Sequence, residues 1–215
     1  MALIHQAQLS PSKAEMLGDW VPRQSWIGSA DASALEVVGA YRFDDPAGEV
    51  GIETHLVRTA DGQVVQVPVT YRGAPMPGAE ASLITTMQHS VLGERWVYDA
   101  CVDPVYVSAL ATAILTGGTE AELQFAAPSE RREVTTRVSG SGSPSSAVPV
   151  VGAVTCANEG TTTVIATDEI GVRVFRVIDP DQVAALGSHT LEGTWPGRGA
   201  PALLAIAYPT EHDEV

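Results

Sequence analysis

Glu53 and His55 stand two residues apart in the strand-like run GIETHLVRT, so their side chains share one face. A carboxylate beside an imidazole is a pairing that general acid–base chemistry uses. Satisfied surface residues are the expected reading of this pair. The histidines His5, His55, His89, His189 and His212 are scattered, and none has the i,i+4 spacing of a zinc-binding helix. Cys101 sits at the start of a helix-like run, where the helix dipole lowers a thiol's pKa, but the sequence locates no partner His for a nucleophile. Cys101 and Cys156 are far apart and lack CxxC spacing, so neither a zinc knuckle nor a disulfide framework is indicated. Asp44, Asp45 and Glu49 gather carboxylates without the ligand spacing of a calcium loop and read as a solvated turn. No GxSxG and no complete GxxxxGK[ST] occurs. Trp195-Pro196-Gly197 offers an aromatic surface on which a sugar could stack, with core or edge packing as the expected role. From the residues alone, no catalytic set, metal set or cofactor is expected.

The elements that would position these groups alternate between strands and isolated helices. Pro11-Ser12-Lys13 opens a short amphipathic helix with Met16, Leu17 and Trp20 at helical spacing, stopped by Pro22. Trp20 and Trp26 are expected to staple that helix onto a sheet. Residues 34–71 read as an antiparallel meander, with Asp61-Gly62 as a hairpin turn. In its last strand Val65, Val67, Val69 and Tyr71 share one face, while Pro68 predicts an edge strand or a bulge because it cannot donate a ladder bond. SLITTMQHS and GERWVYDA add two strands. Asp103, Pro104 and Gly117 then mark the cap, first turn and end of a helix. EAELQFA and REVTTRV are strand-like. Ser139 to Ser146 is a serine-glycine run that reads as a flexible loop or linker. VPVVGAVTC, TTTVIAT, GVRVFRVI and ALLAIAY continue as strands, Asp179-Pro180 to Gly187 repeats the helix signals, and an acidic tail closes the chain. The fold class is therefore α+β: curved antiparallel β-sheets with a few packing helices in two linked halves. The halves are residues 1–138 and 150–215, joined by a linker at 139–149.

With 215 residues, 45 % of them hydrophobic and 18 % charged, the chain can bury a substantial core. A net charge of −14 disfavours nucleic acid and anionic membrane surfaces, whose binding relies on Lys and Arg, and keeps the protein soluble or suits a basic partner. The N-terminus lacks a signal-peptide pattern, and no run of about 18 apolar residues is present. A soluble cytoplasmic protein with reduced thiols is expected.

Three phrases in order carry a resemblance. They are Leu17-Gly18-Asp19-Trp20 with Pro22-Arg23-Gln24-Ser25-Trp26, then Gln66-Val67-Pro68-Val69-Thr70-Tyr71-Arg72, then Tyr98-Asp99-Ala100 ahead of Asp103-Pro104. Over roughly residues 12–125 the chain resembles the N-terminal cap of bacterial maltokinases, which phosphorylate maltose with ATP. The cap is a non-catalytic piece ahead of the kinase lobes. The later strands resemble the start of the same family's ATP-side lobe: Asn158 to Ile165 would be a phosphate-facing turn and strand, and Val172 to Arg176 the strand bearing a phosphate-pairing Lys. The resemblance thus implies a remnant nucleotide site at Thr161, Thr162 and Arg173, with Arg173 in the Lys position. Arg does not replace Lys conservatively there.

Kinase chemistry also needs a carboxylate for the acceptor hydroxyl and Asp/Asn ligands for Mg²⁺, and little chain follows Ile178 to supply them. The expectation is a non-catalytic binding or regulatory protein in α-glucan, maltose or trehalose metabolism. Its partner would be a kinase lobe or an α-glucan enzyme, with a sugar as ligand. The alternatives are a subunit of a split sugar kinase, or a small-molecule module with its pocket between the halves.

Overall fold

The structure, a computed structural model, describes residues 3–4, 8–122, 124–125 and 135–210. His5, His212, part of the strand-like 119–138 stretch and the acidic tail at 211–215 lie outside them. In chain order the first strands are β1 (Leu3–Ile4), β2 (Leu9–Ser10), β3 (Leu35–Phe43), β4 (Gly51–Thr59), β5 (Val64–Arg72), β6 (Leu83–His89), β7 (Gly93–Asp99) and β8 (Gln124–Phe125). They are followed by β9 (Arg137–Gly140), β10 (Thr155–Glu159), β11 (Thr162–Ala166), β12 (Ile170–Phe175), β13 (Val177–Ile178), β14 (His189–Thr194) and β15 (Ala202–Pro209). Two α-helices accompany them among the described residues, α1 (Lys13–Trp20) and α2 (Pro104–Thr116).

The first sheet runs β2-β6-β7-β5-β4-β3, with β13 added beside β5; the second runs β10-β11-β12-β15-β14-β9. Both are antiparallel, and β1 and β8 form a separate parallel pair. The α+β class with curved sheets and few helices is as the sequence reads. The second half thus lends β13 to the first sheet, and β9 joins the second.

Helix α1 begins where the sequence marks it. Ser12 Oγ accepts the Glu15 N–H, and the Glu15 carboxylate accepts the Ser12 N–H at 2.8 Å, closing a capping box. Met16, Leu17 and Trp26 bury against Val57, Val65, Val67 and Val69 on one face of the first sheet. Trp20 packs 5.8 Å from Trp26, the staple expected of the pair. The opposite face of this sheet meets the second sheet and α2 in a larger core containing Ile52, Leu56, Leu110, Ile114, Val172 and Leu204. Both faces of β4 and β5 are therefore covered.

Three expectations change. Pro68 does not mark an edge, because β5 is central, between β4 on one side and β7 and β13 on the other. The β7 ladder begins at Val69 and the β13 ladder reaches only Val65, so the missing Pro68 donor falls in the gap between partners. No helix forms between Asp179 and Gly187. Val183 and Leu186 are largely exposed there, so a short helix would have no packed face to offset its nucleation cost. The serine-glycine run is docked: the Gly142 and Ser143 amides donate to the Ile114 and Leu115 carbonyls at the end of α2, at 2.9 and 3.0 Å.

Candidate functional site

The two sheets meet through buried polar groups that hold the β10–β11 turn in place. Gln66 Nε2, from the first sheet, donates to the carbonyls of Phe175 at 2.7 Å and Leu204 at 2.5 Å. Arg176, wholly buried, donates from Nη2 to both Asp99 oxygens at 2.7 Å and from Nε to Thr163 Oγ1 at 2.8 Å, and lies over the Trp26 ring at 5.1 Å. Burial works against its charge, but Asp99 more than offsets this and raises its pKa further. Removing one member of such a buried pair typically costs about 3–5 kcal/mol, because a charge is left without its partner. Asp103 has a parallel task. It caps α2 through the Val105 N–H at 3.0 Å and takes both Arg72 Nε at 2.7 Å and Arg72 Nη2 at 2.6 Å. Asp99 and Asp103 belong to one of the phrases that carry the resemblance, and both are structural anchors.

Thr162 and Arg173, of the three residues suggested for a remnant nucleotide site, come together. Arg173 on β12 faces β11, its Nη1 donating to Thr162 Oγ1 at 3.4 Å and its Nη2 pairing with Glu159 Oε2 at 3.2 Å. Thr161 sits in the β10–β11 turn. Its carbonyl accepts the Arg176 and Val177 amides at 2.9 and 3.2 Å, and the residue borders a different feature. That feature is a cleft of about 530 Å³ between the β4–β5 turn and the second sheet, lined by Asp61, Gln63, Asp179, Trp195 and Arg198 among others. The Arg198 guanidinium lies over the Trp195 ring at 5.4 Å. Trp195 itself is 5 % exposed, a packed residue as expected.

Glu53 and His55 are satisfied, as expected, but by internal partners and away from the surface. They are 6 % and 2 % exposed, because α1 and Tyr71 close over their face of β4. Glu53 takes Lys13 Nζ at 2.5 Å, Arg42 Nη2 at 3.0 Å and the Tyr71 hydroxyl at 3.0 Å, with His55 Nε2 at 3.4 Å. Burial pushes the Glu53 carboxyl up, but His55, Lys13 and Arg42 together hold it well below the usual carboxylate range. Burial lowers His55 to about 4, Glu53 opposing and Lys13 and Arg42 assisting, so the imidazole is neutral at pH 7. The cluster is saturated with internal partners and binds α1 to the sheet.

Cys101 does not carry the lowered thiol pKa that a helix start could give it. It is buried at 3.1 Å from Arg176 Nη2, and burial outweighs Arg176 to push its thiol well up, which leaves it unreactive. Asp45 turns inward, its carboxylate accepting the Ala47, Glu49 and Val50 amides at 2.9–3.0 Å, so it shapes a turn. Among the described residues no group of three or more His, Cys, Asp or Glu is placed to hold a metal ion. None of their helices is long and apolar enough to cross a membrane. Arg176 and Arg198 were not singled out by sequence. Arg176 carried a signal, a charged residue inside the apolar run GVRVFRVI, whereas Arg198 in a glycine-proline turn carried none.

Residues 20–103 match the family model of the maltokinase N-terminal cap domain. These residues hold β3 to β7 and end at the cap of α2. Among solved structures, the chain is similar to a glucosamine kinase in complex with glucosamine, ADP and inorganic phosphate. The identity is 12 % and the TM-score 0.46, over 94 % of this chain and 42 % of that one. The chain thus spans less than half the length of that kinase. Comparison with curated proteins returns no match.

Proposed function

We propose that the chain is a non-catalytic binding or regulatory unit built on a maltokinase-type cap, working with a protein partner in α-glucan, maltose or trehalose metabolism. The observation that carries this reading is the pairing of Arg173. In the position that the resemblance gives to a phosphate-pairing Lys stands a guanidinium engaged by Glu159, from the hairpin that would face the phosphates. Both side chains are substantially exposed, so the pair adds little stability. What matters is the sign of the charge, since a carboxylate at this place repels a polyphosphate instead of cradling it. The cap is braced against the second sheet through Gln66 and Arg176, which suits a rigid docking unit for a kinase lobe or an α-glucan enzyme. The acidity of the whole chain favours a basic face on that partner.

The test is ATP-dependent phosphorylation of maltose by the purified chain with Mg²⁺. No phosphorylated sugar above background is expected. Transfer by the chain alone would overturn the reading, and transfer that appears only when a separate catalytic lobe is added would replace it with a split kinase.

A further inference from the structure

We infer that β10 pairs antiparallel with β10 of a second copy of this chain, joining two second sheets across a twofold axis at Ala157; this contact stands apart from the function proposed above. β10 is the outer strand of the second sheet, bonded to β11 alone. The two-residue turn Gly160-Thr161 joins them, so Glu159 and Thr162 form the first bonded pair. Thr161 agrees with this phase, since its carbonyl turns away from β10 to the Arg176 and Val177 amides. By alternation, Thr155, Ala157 and Glu159 aim their amides and carbonyls at β11, while Cys156 and Asn158 aim theirs outward. Among the described residues no main-chain bond outside the β11 ladder engages either one.

The other edges of the two large sheets carry protection that β10 lacks. β2 is only two residues long. β3 has a bulge between Val37 and Gly39, and its Arg42 carbonyl accepts the Ala121 amide at 2.8 Å. β9 is closed by residues 118–120: the Gly140 amide donates to the Gly118 carbonyl at 2.9 Å, and the Val138 amide to the Glu120 carboxylate at 2.8 Å. Short strands, bulges, covering chain, Lys and Pro are the usual means of blunting an edge. β10 has a regular register with β11 throughout, no Lys or Pro, and all five of its residues exposed. It is also held in place, because Asn158 accepts Thr163 Oγ1 at 2.8 Å and donates to Ser25 Oγ at 3.2 Å.

The strand is complementary to itself. Pairing centred on Ala157 sets Cys156 of each copy opposite Asn158 of the other, so every outward amide and carbonyl of both strands meets a partner. Centring on Cys156 or Asn158 would leave some of them beyond the end of the facing strand. Ala157 meets its own copy in the closer, non-bonded position, where a small side chain fits. Glu159, the only charge on the strand, falls opposite Thr155 and not opposite a second carboxylate, and its own Arg173 already pairs with it at 3.2 Å.

Five-residue edges make a small interface, so the association is weak and concentration-dependent. Sedimentation velocity over a concentration series tests it, at high salt to screen the repulsion between two chains of net charge −14. A monomer–dimer equilibrium is expected, weakened about tenfold or more in Ala157→Lys, whose ammonium groups would face each other across the axis. The thermal midpoint of that variant stays near that of the parent, because the side chain is exposed. A disulfide trap reads the register. Ala157→Cys in a Cys156→Ser background, oxidised with diamide, is expected to give a covalent dimer, since opposed non-bonded pairs lie within disulfide reach. Thr155→Cys in the same background would face Glu159 and remain untrapped. A chain that stays monomeric at every concentration and escapes the trap would overturn the inference and leave this edge to a strand of another protein. So would a dimer that Ala157→Lys leaves unchanged, or equal trapping of the two cysteine variants.

Discussion

Glu53 keeps its charge against the first sheet by collecting Lys13 and Arg42 as counter-ions and Tyr71 as a donor, and His55 beside it stays neutral. The pH consequence follows from the direction of the His55 shift. Its folded pKa of about 4 lies below the unfolded value of about 6.5, so the unfolded chain takes up the proton first. The stability tied to the neutral ring is complete above pH 6.5 and is lost as pH falls toward 4, amounting to roughly 3 kcal/mol at most. Glu53, also depressed, acts with the same sign but at lower pH. Melts followed by circular dichroism should therefore show the midpoint falling between pH 6.5 and 4.5, with a shallower fall in His55→Gln. An equal slope in both proteins would contradict the burial of a neutral His55. The shared face of this pair was legible from their spacing, since a strand alternates. Their burial was not, because it depends on a helix that starts 40 residues earlier at Lys13.

At the scale of elements, the ends of α2 show how local grammar and long-range contact divide the work. Asp103, Pro104 and Gly117 stand at the cap, first turn and left-handed stop that their types indicate, with Gly117 at φ 70°. The serine-glycine run then crosses the end of the helix so closely that a Cβ on Gly142 would overlap the Leu115 carbonyl. Gly142→Ala should destabilise the chain by about 1–3 kcal/mol, the usual cost of overpacking, whereas Ala at the open position Gly48 would report only its backbone strain. Equilibrium urea unfolding measures the first value, and an unchanged midpoint for Gly142→Ala would show that the run is not docked. Composition reads such a run as linker because glycine signals both freedom and close approach; which one applies depends on the carbonyls it meets. The Asp179 to Gly187 segment is the reverse case: valid start and stop signals without an apolar face to bury yield turns.

Across the whole molecule, the first sheet and the second sheet share a core, and Gln66 and Arg176 fix their relation with bonds that neither sheet could satisfy alone. The sequence carried the strands, their alternation and the phrases of the cap. It could not carry the meeting of Arg173 with Glu159, 14 residues apart and across the intervening strand β11, or the gathering of Asp61, Asp179 and Arg198 around one cleft. Those arise from register and sheet order. The central claim is that the hairpin bearing Thr162 and Arg173 is not a working nucleotide site. Calorimetric titration of the purified chain and of Arg173→Ala with ATP and Mg²⁺ tests it most directly. No binding heat from either protein is expected; saturable ATP binding by the parent chain that disappears in Arg173→Ala would contradict the account.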